Sequence, residues 1–412
     1  MGSDSFRWNQ AYPEYINMRI LITSIVDLKK GPHTRLHEFI RYLRKRHDVV
    51  VFSVSDWWKA GQTNTKLYTQ GLEDVTDGIR TEYFTQQKIS PILQEVVSAI
   101  SVCRLLEAMD YRGLDVHLNY NSLISGYFVA RRLRAIGVNT VYDIADNLPQ
   151  MIGVSPQIPW IARPVGKFVG KIMLTKNIGI ASRVSFVDTN IQALYPAPPY
   201  KAVVIRNGVD VELFSPRQSQ TLREKLGIGN DFVVGFVGTM REWVEFEPVF
   251  AAVSRLSAEH PDIRILIVGE EGGLDKIKHS AQKFGVLDKT IFTGTAPYRL
   301  VPEYISCMDV CLIPFAKHKG MDAGEEGYCP LKLAEYLACE KPVISTQKTS
   351  MPEGIVAYAS TAEEYYDRIL MLYNNPQLRS EMGLQGRKII QSSYTWSNSA
   401  SMLEQVLMEA AS

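Results

Sequence analysis

The sequence predicts two doubly wound α/β domains, each a parallel sheet covered by helices on both faces. Three observations carry this. The chain has 412 residues, too many for one compact core, so two domains of about 200 residues are expected. Short β-branched apolar runs alternate with amphipathic helical patterns, the signature of parallel strands joined by crossover helices. The alternation also starts afresh at FVVGFVGT, residues 232–239.

In the first half, RILITSIV (19–26) reads as a strand, HTRLHEFIRYLRKR (33–46) as a helix and DVVVFSV (48–54) as the next strand. A less regular stretch follows. Then come LDVHLNY (114–120), the helix SGYFVARRLRAIG (125–137), and the strands TVYDIA (140–145), RVSFVD (183–188) and KAVVIRNG (201–208). In the second half the strands are FVVGFVGT, IRILIVG (263–269), TIFTGT (290–295), DVCLIPF (309–315) and KPVIST (341–346), with helices between them. TWSNSASMLEQVLMEA (395–410) reads as a last amphipathic helix whose buried face carries Met402, Leu403, Val406 and Leu407. The expected organisation is an extension over 1–17, an N-terminal Rossmann-like domain over 18–205, a C-terminal one over 206–391, and a helix over 392–412 that packs back on the first domain.

Composition narrows the function. With 46% hydrophobic and 22% charged residues and a net charge of +1, no global field draws the chain to nucleic acid, and an anionic ligand must be held by local groups. Five cysteines without regular spacing argue for a reducing, cytoplasmic setting rather than a disulfide framework. Cys307 and Cys311 are spaced like a metal pair, but in SCMDVCLIPF they read as small buried residues. No apolar run reaches the length of a membrane span, and the N-terminus lacks the order of a signal peptide.

The stretch CPLKLAEYLACEKPVIST, 329–346, poses the functional question. Pro330 suits the first position of a helix. The N–H groups of Leu331 and Lys332, with the positive end of the helix dipole, form an anion site. Glu335, about one turn further, can accept from two hydroxyls of a ribose; the alternative is an ion pair between Lys332 and Glu335 on one helix face. In open α/β sheets ligands bind beyond the carboxyl ends of strands, and two such domains facing each other would make a cleft.

PLKLAEYLACEKPVIST resembles the donor-binding segment of the GT-B retaining glycosyltransferases of the large family-four group. VIRNGVDVELFSP, VVGFVGTMREW and VPEYISCMDVCLIPF resemble that family's interdomain segment, its first C-domain strand and loop, and the elements before its donor loop. The resemblance implies a GT-B fold and a transferase that moves a sugar from a UDP- or GDP-sugar to a glycan or lipid-linked acceptor, with retention and without a metal or other cofactor. It places Glu335 on the donor ribose, and Pro330, Leu331, Gly238 and Thr239 near the diphosphate. Base contacts fall near Thr293 to Tyr298. The chain departs from the family at two points. Gly327 stands where the first glutamate of the Glu, seven residues, Glu pattern belongs, leaving Glu326 or Glu325, in a loop with Gly320 and Gly324, to reach the sugar. Thr239 and the EWVEF stretch replace the usual diphosphate-binding Arg and Lys, so Arg241, helped by Lys332, is the expected cation on the leaving group, with Lys317 or Lys319 in reserve.

The remaining candidates lie in the first domain. Asp146 is an acceptor contact or a helix cap. Gly31, His33, Asn119 and Asn121 sit at strand ends or on the first turn, on the expected acceptor side. His33 and His37 have zinc-like i, i+4 spacing but no third ligand, and read as a solvated helix face. The segment IPWIARPVGKFVGKIMLTKN, 158–177, carries Arg163, Lys167 and Lys171 among Trp160, Phe168, Ile172 and Met173; it fits an anionic membrane surface, on the inner face of the membrane, as well as a solvated helix. Two other functions stay open: a catalytically silent relative that binds a nucleotide-sugar or glycan as a partner subunit, and a sugar-nucleotide epimerase, for which no acid/base set can be assembled.

Overall fold

The computed structural model describes residues 18–31, 33–57, 69, 72–109, 111–155, 158–240, 243–269, 273–316 and 329–412. The chain divides into two compact units. Unit 1 comprises residues 1–206 and 397–412, and unit 2 comprises 207–396.

Unit 1 is built on seven parallel strands: β1 (Arg19–Ser24), β2 (Asp48–Ser53), β3 (Arg80–Tyr83), β4 (Val116–Tyr120), β5 (Asn139–Ile144), β6 (Arg183–Phe186) and β7 (Ala202–Val204), in the order β3-β2-β1-β4-β5-β6-β7. The central strands β1, β4 and β5 are buried almost throughout, as both-face coverage requires. Their connections are α1 (Arg35–Leu43), α2 (Glu73–Thr76), α3 (Pro91–Glu107), α4 (Ile124–Arg134), α5 (Leu148–Val154), α6 (Arg163–Ile180) and α7 (Thr189–Leu194). Strand order reverses between β1 and β4, the switch point of a doubly wound sheet.

Unit 2 repeats the design with α8 (Gln220–Lys225), β8 (Phe232–Val237), α9 (Glu247–Leu256), β9 (Ile263–Val268), α10 (Leu274–Lys283), β10 (Thr290–Phe292), α11 (Val301–Ser306), β11 (Val310–Ile313), α12 (Leu331–Ala338), β12 (Val343–Ser345), β13 (Val356–Tyr358), α13 (Ala362–Asn374) and α14 (Pro376–Ser393). The parallel order is β10-β9-β8-β11-β12-β13, with the switch between β8 and β11. Cys307, Cys311 and Cys339 are buried here, and burial raises all three thiols, Cys307 to about 11.

The last helix, α15 (Trp396–Ala411), lies in unit 1 from Ser397 onward. Glu404 Oε1 takes His47 Nε2 at 2.9 Å, and Asn139 Nδ2 donates to the Ala410 carbonyl at 3.0 Å. Leu403, Val406 and Leu407 are buried on this helix, but Met402 is not. The helix starts at Trp396, two residues after α14 ends at Ser393. Two strands escaped the sequence reading, β3 and β13. Both are edge strands of three or four residues, mostly half-buried, and so lack a continuous apolar run.

Candidate functional site

In unit 2 the site forms where β8 meets α12, beside the switch point. After β8, Gly238 takes φ +147°, a conformation that suits glycine alone. A Cβ here would lie 2.2 Å from Lys332 Cε and 2.7 Å from its Nζ, so the ammonium rests on the Gly238 backbone. Gly269, after β9, stands at φ +131°, and a Cβ on it would meet the Gly238 carbonyl oxygen at 2.1 Å. Its N–H donates to Gly294 O at 2.8 Å. Side chains are thus excluded where the ends of β8 and β9 converge.

Lys332 reaches Gly238 because of a residue the sequence reading passed over. Tyr336, fully buried one turn further along α12, accepts from the Val237 N–H at 2.8 Å and donates to the Val237 carbonyl at 3.2 Å. Burial raises this phenol well above its usual pKa, so it keeps its proton. The paired bonds fix the rotation and height of α12 against β8, and the side chain one turn earlier then falls over the strand end. Lys332 Nζ also lies 5.7 Å from the Phe236 ring centre and 6.0 Å from that of Phe315, within reach of their faces. A tyrosine four residues after the lysine, on an otherwise apolar face, was the available signal.

Pro330 is the N-cap of α12 rather than its first helical residue, because ψ 151° leaves it extended. No side chain caps this end; the Leu333 N–H turns back to the Pro330 carbonyl at 2.9 Å, and the N–H groups of the two residues before it point out of the helix start. Glu335 is half-buried, and its Oε1 accepts from the Tyr298 hydroxyl at 3.5 Å. Tyr298 packs 5.4 Å from the Phe214 ring. Thr293 donates its N–H to Ile267 O and its hydroxyl to Gly294 O, both at 3.1 Å. Leu331 and Thr239 are half-buried. Arg241, Glu325, Glu326, Gly327 and the loop's Lys317, Lys319, Gly320 and Gly324 lie outside the described residues. Beside Phe315 and Thr346, beyond β11 and β12, a cavity of about 430 Å³ is lined also by Glu245, Ser360 and Tyr365; the sequence reading selected none of these. Chemically, Lys332 with the start of α12 can hold an anion, and Glu335, about one turn on, can accept from hydroxyls.

Unit 1 corrects several expectations. His33 and His37 are not a solvated face. His37 is fully buried; its Nε2 lies 2.9 Å from the Leu28 carbonyl and so carries the proton, while Nδ1 accepts from the Thr34 N–H at 3.1 Å. It completes a capping box at α1. Burial, aided by His33, lowers its pKa to about 4. His33 Nε2 pairs with Glu38 Oε1 at 2.6 Å. Burial would raise Glu38, but His33 and Arg41 outweigh it and hold the carboxyl ionised. Among the described residues, no group of three His, Cys, Asp or Glu side chains is placed to hold a metal.

Asn119 does not reach the strand-end surface. It is fully buried, with Nδ2 donating to Asn177 Oδ1 at 2.9 Å and Oδ1 accepting from the Ser122 N–H at 3.1 Å. Helix capping falls to Asn147, whose Oδ1 accepts from the Gln150 N–H at 3.2 Å, and not to Asp146. The Asp146 side chain is exposed and lies 3.5 Å from Asn121 Nδ2. Asn121 takes φ +53° and is buried, its Oδ1 without a protein partner among the described residues. Gly31 follows a turn in which its N–H donates to Asp27 O at 2.8 Å. Beneath these residues Arg35 binds Asp143 at 3.1 Å and the Ile205 carbonyl at 3.0 Å, a buried pair that anchors α1 to β5.

Comparison with known proteins gives the arrangement a context. Residues 218–389 match the family model of the glycosyl transferases group 1. TuaH of Bacillus subtilis, named as a glycosyltransferase of teichuronic acid biosynthesis, is 26% identical over 274 residues, 66% of this chain and 63% of that protein. The match therefore spans less than two thirds of that relative. In fold, the chain is similar to Anabaena Alr3699/HepE in its complex with UDP, with TM-score 0.71 and 16% identity over 95% of this chain and 100% of that one. It is also similar to sucrose-phosphate synthase of Thermosynechococcus elongatus, with TM-score 0.74 and 15% identity over 96% and 100%.

Proposed function

We propose that the protein moves a sugar from a nucleotide-diphosphate sugar to a glycan or lipid-linked acceptor, a reading supported by the match of residues 218–389 to the glycosyl transferases group 1 model and by the likeness of the fold to GT-B structures. One observation carries this reading. The Lys332 ammonium rests on the Gly238 backbone at the start of α12, with Glu335 about one turn on. Lys332 and the α12 N–H groups hold the diphosphate, and Arg241 is a second cation toward it. Glu335 takes the ribose hydroxyls. Negative charge grows on the leaving oxygen as the sugar becomes cation-like, and fixed donors aimed there lower the barrier. Asp146 and Asn121, at strand ends of unit 1, contact the acceptor. The leaving phosphate takes the acceptor's proton, the sugar keeps its anomeric configuration, and the protein positions the reactants. No metal is required, and the reaction takes place on the cytoplasmic side.

A thermal-shift panel of UDP-, GDP- and ADP-sugars identifies the donor; the UDP held by HepE puts UDP-sugars first. With that donor, proton NMR of the initial product reads the anomer, and inversion would refute retention. Turnover that survives excess EDTA supports metal independence; loss restored only by a divalent ion would refute it. Gly327 in place of the first glutamate, and Thr239 in place of the usual Arg, favour a second reading, a silent nucleotide-sugar-binding subunit. It predicts donor binding without release of nucleoside diphosphate, with or without acceptors.

A further inference from the structure

Helix α3 is polar where it faces unit 1 and apolar where it faces outward. Its inner side carries Gln94, Glu95, Ser98 and Ser101, all buried, beside Val102 and Leu106. Gln94 Oε1 accepts from the Ser55 N–H at 2.6 Å, and its Nε2 donates to the Ser55 carbonyl at 2.7 Å. Glu95 Oε2 accepts from the N–H groups of Ile124 and Ser125, at the start of α4, at 2.8 and 3.1 Å. The outer side carries Leu93, Val96 and Ile100, which are 53%, 51% and 84% exposed, and the exposed Cys103. Single exposed apolar side chains are ordinary, but an unbroken row along a helix marks an interaction surface. Helix α6, by contrast, does not form the basic apolar face expected of residues 158–177. The Lys167 stem lies against Gly153 of α5, on the side of the buried Leu174 and away from the exposed Val165, Phe168 and Ile172.

The spacing of the α3 row selects its occupant. Steps of three, four and three residues are those of a coiled-coil seam, so the partner is another helix. A second copy of α3, laid antiparallel, is complementary to the first. Leu93 then meets Cys103 of the second copy, and Val96 meets its Ile100, a larger side chain against a smaller one in each layer. Both layers share one centre, midway between Val96 and Ile100, as a two-fold contact requires. Charge sets the direction. Lys88, just before the helix, and Glu107, its last residue, are both exposed. Antiparallel copies bring Glu107 to Lys88 of the second copy and to the positive end of its helix; parallel copies would set Glu107 against Glu107. Arg104 comes to the level of Trp57 of the second copy, whose indole N–H donates to the Ile89 carbonyl at 3.0 Å at the start of α3, a cation beside an aromatic ring.

We propose that the protein self-associates through α3 as an antiparallel two-fold dimer, with Leu93, Val96, Ile100 and Cys103 of each copy in the seam and Lys88 paired with Glu107. A helix of 17 residues offers a seam of only about 25 Å, so the dimer is reversible and grows with concentration. None of these residues belongs to the transfer site, and the test needs no turnover. Sedimentation velocity of the full chain over a range of concentrations should show monomer passing to dimer. Val96→Lys with Ile100→Lys holds the protein monomeric while the melting temperature stays, since both side chains are exposed. Lys88→Glu and Glu107→Lys each weaken the dimer, by up to about fivefold for each of the two symmetric pairs, and the double exchange restores it. Leu93→Cys forms a covalent dimer on mild oxidation, and adding Cys103→Ser removes it. Four results would overturn the proposal: a wild type that stays monomeric, a dimer that survives the double lysine variant, a charge exchange that restores nothing, or a wild type that cross-links through Cys103 alone, as a parallel pair would. A monomeric wild type that floats with lipid vesicles would give the face to a membrane instead.

Discussion

Gly238→Ala tests the placement of the Lys332 ammonium without touching the lysine. The new methyl carbon would stand 2.2 Å from Lys332 Cε, whereas carbon atoms settle at about 3.5–4.0 Å. The lysine terminus is the flexible partner, so it withdraws by more than about 1 Å. Alanine at φ +147° adds backbone strain of about 1–3 kcal/mol, read as lower stability of unit 2. The functional effect is separate. A charge-assisted hydrogen bond to a phosphate is worth about 1.5–3 kcal/mol, so donor affinity should fall roughly 10- to 150-fold. Calorimetry with the nucleoside diphosphate of the preferred donor measures this in Gly238→Ala, Lys332→Ala and the double variant. If alanine acts by displacing the ammonium, the double variant binds no worse than Lys332→Ala alone, because the two changes remove one interaction. Losses that add, or full affinity in Gly238→Ala, would refute the reasoning.

Glu335→Ala should weaken donor binding by about 2 kcal/mol while leaving the fold intact, as lost charge-assisted bonds to the ribose require; unchanged affinity in calorimetry counts against the ribose assignment. Tyr336→Phe strands the buried Val237 N–H at a cost of about 1–3 kcal/mol, and in a unit of this size each kcal/mol lowers the melting temperature by about 2–4 °C. Donor affinity should fall with it because Lys332 loses its register, and a change in stability alone would contradict the clamp. His37, at about 4 in the fold against 6.5 unfolded, contributes stability that is fully present above pH 6.5 and lost as pH falls toward 4. The effect reaches at most about 3 kcal/mol. Buried His117, lowered to about 3, acts in the same direction, so His37→Asn should flatten only part of the fall in melting temperature between pH 7 and 4.5.

The sequence by itself determined the two-sheet architecture, because a strand covered on both faces must be apolar along its length, and such runs (ILIT from Ile20, VVGFV from Val233) can be read without knowing their neighbours. It also marked Lys332 and Glu335 as candidates, since the first turn of a helix presents N–H groups and a positive dipole end to an anion. Tertiary structure decided what depends on residues distant in the chain. Tyr336 sets the height of Lys332 through the backbone of Val237, 99 residues away. Asn119 looked like a strand-end ligand contact until Asn177, 58 residues on, took its amide. His37 looked like a surface residue until the Leu28 carbonyl enclosed it. The edge strands β3 and β13 acquire their identity from the neighbour they pair with rather than from their own composition. Local pattern reports which way a side chain must face, but which partner it meets there is a property of the packed molecule.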